Sequence, residues 1–122
     1  MTVSELFAYV DHVKQNAFTD SDKLVWVNEI EARIQTEVML RWQGEMEQYA
    51  LPEDKDTELL LSPPHTAVYR YWLQAMIDFE NGEYDKYQNT SGMFNAAWSA
   101  FVAWFAEIYR PADGYAAEGS GE

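Results

Sequence analysis

Residues 75–105, AMIDFENGEYDKYQNTSGMFNAAWSAFVAWF, decide the fold. The second part of this stretch repeats large side chains at alternating intervals of three and four residues, which is the period of a helix with one buried face. The repeat predicts a long helix over about 84–109. Its members are Tyr84, Tyr87, Ser91, Phe94, Trp98, Phe101, Phe105 and Ile108.

Another helix is predicted immediately before this repeat, over about 65–81. Apolar side chains are dense there, from Val68 to Phe79. Asn81-Gly82 follows, and glycine readily adopts the left-handed conformation that ends many helices, so the two helices are predicted to meet at this turn. Asn-Gly also closes β-hairpins, but the helical period on both sides disfavours that use. Most aromatic side chains of the opening stretch are therefore predicted to form core and contact surface, not a ligand pocket.

Two shorter helices are predicted in the first third of the chain. Residues 2–5, TVSE, form a capping box that opens a helix over about 3–15. Thr19 or Asp20 can cap the second helix. Its buried stripe is predicted to consist of Leu24, Val27, Ile30, Ile34 and Val38.

Residues 41–64 break the helical period. Two short extended segments, 46–51 and 58–62, flank the polar sequence PEDKD, so a short β-hairpin and a long loop fit the region 46–62 equally well. Residues 111–122 are small, polar and acidic and are predicted to form a flexible tail. The sequence therefore predicts an all-α fold of about four helices, with residues 1–110 as a single helical domain.

The charge balance excludes several classes of partner. The chain has 21 acidic and 8 basic residues and a net charge of −13, which repels nucleic-acid phosphates and anionic membrane surfaces. No apolar run of about 18 residues is present that would span a membrane, and the N-terminal sequence lacks the features of a signal peptide. The 122 residues include no cysteine, which excludes disulfides and thiolate chemistry within them. We expect an intracellular protein. Its acidic balance fits a solvated surface without further purpose, a surface for a basic partner, or one that does not adhere to passing DNA.

No residue pattern typical of catalysis or metal binding is present in the sequence. His12 and His65 lie in different elements without a carboxylate or histidine four residues away, and each is predicted to be a solvated surface side chain. Residues 78–85, DFENGEYD, are rich in oxygen ligands. With the glycine at the sixth position of a calcium loop, however, the first and twelfth positions fall on Ile77 and Gln88. The sequence therefore predicts a protein that is not an enzyme and holds no metal or cofactor.

The least regular part of the chain is the predicted site of protein–protein contact, because loops carry binding residues more often than core elements do. An extended segment there could also add an edge to a neighbouring protein. The alternative is that its large apolar side chains only cover the helices. The candidate interface residues are Trp42, Met46, Tyr49, Leu51, Leu59 and Leu60.

Residues 69–114 read YRYWLQAMIDFENGEYDKYQNTSGMFNAAWSAFVAWFAEIYRPADG. This sequence resembles the phage head–tail connector (adaptor) family, which consists of prophage-encoded proteins from the head-to-tail gene block. Residues 2–38 fit the same group, so the resemblance extends over nearly all of 1–114. It is a likeness of the whole chain and contains no catalytic motif.

The resemblance implies a small, mostly α-helical subunit that assembles as a ring beneath the portal. The implied partners are the portal protein, neck or tail proteins and further copies of the chain, and DNA passes through the ring without specific binding. The implied location is the host cytoplasm during assembly and the virion neck afterwards. The resemblance assigns no site residue, because the family likeness lies in packing.

Two other functions fit the sequence. An acidic DNA mimic or antitoxin-like inhibitor would occupy the basic site of a DNA-binding enzyme and would space its carboxylates like phosphates along one exposed face. A connector would instead spread its acids and keep apolar contact patches. A small enzyme with an unrecognised carboxylate site would show a deep pocket lined by acids of perturbed pKa.

Overall fold

The computed structural model describes residues 1–40 and 48–108, which form an all-α arrangement. Its α-helices are α1 (Val3–Val13), α2 (Asp20–Arg33), α3 (Ala67–Glu80) and α4 (Tyr84–Ile108). A π-helical turn, Ile34–Val38, continues α2. The predicted all-α fold with a long C-terminal helix is confirmed, whereas the predicted tail over 111–122 lies outside the described residues. No helix within the described ranges is both long and apolar enough to cross a membrane.

Both N-terminal helices begin at capping boxes. The Thr2 hydroxyl accepts the Glu5 N–H at 3.1 Å, and the Glu5 carboxylate accepts the Thr2 N–H at 2.9 Å. Thr19 and Asp22 exchange the same pair of hydrogen bonds at the start of α2. Because the first N–H groups of a helix have no backbone partner, these side chains fix where each helix begins. The predicted capping roles of Thr2 and Thr19 are thus confirmed.

Helices α3 and α4 form an antiparallel pair joined by residues 81–83. Gly82 in this turn has a φ of +74°, the left-handed conformation predicted from the Asn81-Gly82 sequence. The core lies between this pair and helices α1 and α2. Its completely buried apolar residues include Val3, Leu6, Val10, Val27, Ile30, Ile34, Val68, Leu73, Ile77 and Phe101.

Helix α4 is much longer than the helix it packs against. Its 25 residues extend about 37 Å and the 14 residues of α3 about 21 Å, so the last turns of α4 continue beyond the start of α3. There Phe101 and Trp104 pack against the His65 ring, with centroid distances of 5.7 and 4.8 Å. The predicted α4 stripe is consequently buried in its middle, while Tyr84 and Ile108 at its ends are exposed.

The described part of the region 46–62 is a loop. Residues 51–56 form a turn, and an isolated antiparallel bridge joins Thr2 to Glu58 without a strand in the described ranges. The Leu59 N–H donates to the Met1 carbonyl at 3.0 Å, which ties this loop to the start of the chain. Of the two predicted alternatives, residues 48–62 adopt the long loop and not the hairpin. We call residues 48–62 the crossing loop.

A buried lysine joins α1 to α2. The Lys23 side chain is 2% exposed, and its ammonium donates to the Asp11 carboxylate at 2.8 and 2.9 Å. Burial raises the pKa of Asp11, but hydrogen bonds from Lys23 and Asn16 and the charge of Lys23 lower it, so the pKa lies below its ordinary value. A lowered carboxyl pKa means that the pair contributes stability above about pH 4 and loses it as acid protonates Asp11.

A buried carboxylate in α3 links the residue that follows α1 to α4. Asp78 is completely buried and accepts hydrogen bonds from the Lys14 ammonium at 2.9 and 3.0 Å. The Thr90 hydroxyl lies 3.0 Å from Asp78 and 3.0 Å from the Lys86 carbonyl. Since a charged acceptor binds a hydroxyl more strongly than a neutral one, we assign the Thr90 proton to Asp78.

Replacing Thr90 by valine is expected to lower the free energy of unfolding by about 1–2 kcal/mol, because the buried Asp78 loses a donor. The matched control is Ser91→Ala, since the exposed Ser91 hydroxyl donates to the Gln88 carbonyl of its own helix and alanine favours a helix. Urea unfolding followed by circular dichroism measures both effects. Equal losses in the two variants would contradict the role assigned to Thr90.

Candidate functional site

Glu31 in α2 is a completely buried carboxylate at the centre of a hydrogen-bond cluster. Its Oε2 accepts the Tyr49 hydroxyl at 2.6 Å and the Leu60 N–H at 3.2 Å. Its Oε1 accepts the Tyr69 hydroxyl at 2.7 Å. Because these donors come from both ends of the crossing loop and from α3, one carboxylate joins three parts of the chain that are distant in sequence.

The Glu31 cluster fixes the backbone of the crossing loop at Leu60 and Leu61. The Leu61 N–H donates to the Tyr69 hydroxyl at 2.9 Å, and that hydroxyl donates in turn to Glu31. Buried backbone N–H groups need such acceptors, and a loop has no neighbouring strand or helical turn to provide them. The position of residues 60–61 therefore depends on the carboxylate and the phenol.

The start of the crossing loop is held by two further polar side chains. The Asn28 side chain exchanges two hydrogen bonds with the Tyr49 backbone, at 3.1 and 2.9 Å. The Asp54 carboxylate accepts the Ala50 N–H at 2.8 Å and the Thr57 hydroxyl at 3.0 Å. The loop is thus attached to α2 at both ends and stabilised internally by its own aspartate.

The Tyr69 phenol is neutral in the folded protein. Its side chain is completely buried, and burial together with the charge of Glu31 raises its pKa far above the ordinary value of 10.0. The hydroxyl therefore keeps the proton that it donates to Glu31. This is the protonation state that the hydrogen bond from Tyr69 to Glu31 requires.

An apolar cleft of about 310 Å³, which we call the α4 cleft, opens between the crossing loop, residues 63–65 and the last turns of α4. The backbone held by Glu31 contributes one wall, and α4 beyond the start of α3 contributes the other. Aromatic and aliphatic side chains dominate such a surface, so it suits an apolar side chain of a partner better than a charged substrate. Its lining includes Met39, Leu61, Pro64, His65, Phe101 and Trp104.

Sequence reasoning alone misses this cleft. His65 is predicted to be solvated, and that prediction is wrong: the residue is half-buried, and its ring packs on Phe101 and Trp104. A usable signal is nevertheless present, because the α4 stripe is longer than α3. Its last members need a different packing partner, and the proline-rich segment before α3 is the nearest in sequence.

Four of the six predicted interface residues are described: Tyr49, Leu51, Leu59 and Leu60. Tyr49 and Leu59 lie in the core, at 7% and 5% exposure, and are not surface side chains in this conformation. Leu51 and Leu60 are half-buried, and Leu60 lines the α4 cleft. Trp42 and Met46 lie outside the described residues. Of these four described residues, Leu60 is the one that lines the cleft.

The acidic segment 78–85 does not form a cation site. Asp78 points inward to Lys14, whereas Glu80, Glu83 and Asp85 are exposed. Within residues 1–40 and 48–108, no group of three or more His, Asp or Glu side chains is placed to hold a metal ion.

No family model, curated protein or solved structure matches this chain. The geometric observations that bear on function are therefore the α4 cleft and the distribution of surface charge.

Replacing Glu31 by glutamine is expected to lower the free energy of unfolding by about 3 kcal/mol. The amide replaces one acceptor oxygen by a donor, which then faces a hydroxyl or N–H group that also donates. Glu29→Gln is the matched control, because Glu29 is exposed on the same helix, and its loss should stay within about 0.5 kcal/mol. Denaturant unfolding followed by tryptophan fluorescence measures both. Similar losses would contradict the anchoring role of Glu31.

Stability is expected to fall as the pH rises above about 10. In the unfolded chain Tyr69 releases its proton near pH 10.0, whereas the folded state retains it because its pKa is raised. The folded state then binds more protons than the unfolded state, so added base favours unfolding. Tyr69→Phe should flatten this alkaline decrease, and Tyr84→Phe, at an exposed tyrosine, should leave it unchanged. Thermal melts across the alkaline range would contradict the assignment if wild type and Tyr69→Phe gave the same slope.

Proposed function

We propose that this protein is a non-enzymatic subunit of a phage or prophage head–tail connector, which assembles as a ring between portal and tail. The starting point is the resemblance of residues 2–38 and 69–114 to connector proteins. The described helices support the proposal, because a small all-α chain with a long late helix is the arrangement that the resemblance implies. Its partners are the portal protein, neck or tail proteins and further copies of itself.

The α4 cleft carries this proposal. Trp104 at the cleft is 43% exposed, and Ile108, one turn further along α4, is 54% exposed. Tryptophan is among the side chains that contribute most to protein–protein binding, and a concentrated apolar surface on a strongly acidic protein indicates a contact site. Because Glu31 fixes one wall of the cleft, a partner enters a preformed site and little ordering opposes binding.

The distribution of carboxylates supports a connector over a DNA mimic. Most of the described exposed acids lie in the first turn of α2, in residues 53–58 and around the α3–α4 turn. A mimic needs carboxylates spaced like phosphates along one face, and α4, the longest helix, has no acid between Asp85 and Glu107. The exposed acids thus lie on several elements and not along one face, and an apolar cleft is available for contact, which is the pattern expected of an assembly subunit.

Wild-type protein is expected to bind the portal protein, or the adjacent neck protein, encoded in its own gene block. Trp104→Ala should weaken this binding at least about tenfold, because a central tryptophan anchor is lost. Phe79→Ala is the matched control: Phe79 is 47% exposed at the opposite end of the α3–α4 pair, where it packs against Tyr84 and Tyr87. Biolayer interferometry measures the dissociation constants, and circular dichroism checks that both variants are folded.

Two results would contradict the proposal. The first is the failure of the wild-type chain to bind either the portal or the neck protein. The second is an equal loss of affinity in the two aromatic variants, which would place the contact elsewhere. Binding to a basic DNA-binding enzyme from a neighbouring gene would instead favour the acidic mimic.

A further inference from the structure

The middle of α4 carries no charged side chain. Residues 87–106 contain no Lys, Arg, Asp or Glu, although the chain has 21 acidic and 8 basic residues. At 1.5 Å per residue this uncharged segment extends about 30 Å. A helix at the surface of a soluble protein normally places charged residues opposite its buried face. Helix α4 departs from that pattern over most of its length.

The side of α4 that faces away from the core is also nearly smooth. Successive residues of a helix lie about 100° apart, so the side opposite the buried Phe94 and Phe101 can be read from the sequence. We call it the outward face; it consists of Gly92, Ala96, Ser99 and Ala103, which are all exposed. No side chain in this set is larger than serine, so another helix can approach the α4 backbone closely there.

Gly92 is not explained by contacts within the described chain. A Cβ added at this position would meet no atom within 4 Å, and the residue does not have a left-handed φ. Glycine inside a helix destabilises it relative to alanine. Neither the packing of the described residues nor the backbone conformation requires this glycine, whereas a neighbouring backbone in close contact would.

We propose that a second copy of this chain packs against the outward face of α4. The charge distribution selects this occupant. A basic partner would be drawn to carboxylates, which the outward face lacks. Another copy has the same net charge of −13 and is repelled wherever the two acidic surfaces meet. A charge-free strip is the surface on which two such chains make contact with the least repulsion.

The size of the outward face determines how strong the contact is. The outward face, residues 92–103, is about 18 Å long and about 10 Å wide, which is smaller than the roughly 800 Å² per partner of a standard stable interface. Isolated copies should therefore associate weakly and in a concentration-dependent manner. This interface rests on the proposed connector function and adds to it the surface through which copies of the subunit meet.

Sedimentation equilibrium of the full chain at concentrations up to about 1 mM tests the inference. Wild-type protein should show reversible self-association that strengthens with added salt, because salt screens the repulsion between acidic chains. Ala96→Glu should abolish the association by placing a charge on the outward face. Ala8→Glu makes the same change at an exposed alanine of α1 and should leave it intact.

Gly92→Ala is a second variant, and it is expected to keep the fold. It should raise the melting temperature, since the added Cβ meets no atom and alanine favours a helix, yet it should weaken self-association.

A monomeric wild-type chain throughout the concentration series would overturn the inference. So would equal association of the Ala96→Glu and Ala8→Glu variants, or a lowered melting temperature in Ala96→Glu alone, which would mean that the chain itself covers this face.

Portal binding by the same variants separates the two proposals. Suppose that the wild type and Ala96→Glu bind the portal protein equally well and that neither protein self-associates. That result would support the connector function and overturn the proposed contact through α4. Self-association through α4 without any binding to the portal or neck protein would support the contact through α4 and contradict the connector function.

Discussion

The buried carboxylate of Glu31 is the constraint on which the arrangement of the crossing loop depends. Helices α1, α2 and α3 position one another by burying apolar faces. The crossing loop adds Tyr49, Leu59 and Leu61 to that core, but apolar burial has no direction and does not by itself define the path of a loop. Two tyrosine hydroxyls and one backbone amide converge on Glu31. A buried charge is tolerated only with such partners, and removal of one partner from a buried charged group is strongly destabilising. Because the buried Glu31 must keep its hydrogen-bond partners, the cluster has one defined geometry, and disturbing it destabilises the fold.

Among the described residues, three buried charged side chains fix the positions of the helices relative to one another. Lys23 links α2 to α1 through Asp11, Asp78 links α3 to Lys14 and to α4, and Glu31 links α2 to α3 and the crossing loop. Apolar burial supplies most of the favourable free energy but has no direction. Hydrogen-bonded charges have strict geometry, so they select one packing of the helices from several that would bury similar area.

The elements of this fold are predictable from local sequence, whereas its long-range polar contacts are not. The capping residues Thr2 and Thr19, the Gly82 turn and the extent of α4 each depend on neighbours within a few residues, so they can be read directly. The burial of Glu31 depends on Tyr69, 38 residues away. On a helix, Glu31 cannot be distinguished from the exposed Glu29 by local pattern alone.

The same reasoning explains why the candidate site is only partly predictable. The irregular sequence of this region predicts Leu60, which lines the α4 cleft. It equally predicts Tyr49 and Leu59, which are core residues. Loops supply binding residues, but the large side chains of a loop are also the ones that attach it to the helices. The His65 and Trp104 rings pack together only because α4 is longer than α3. This contact depends on the relative lengths of two helices, which the sequence of either helix alone does not give.

The proposed function follows from the contrast between an acidic surface and one long helix whose middle, residues 87–106, lacks charged side chains. Hydrogen-exchange mass spectrometry of the chain, alone and mixed with the portal protein of its gene block, tests that claim most directly. We expect slower exchange on binding in residues 60–65 and 98–108, which form the α4 cleft. Slower exchange confined to the acidic turns at 53–58 and 80–85, or no change in exchange at all, would contradict it.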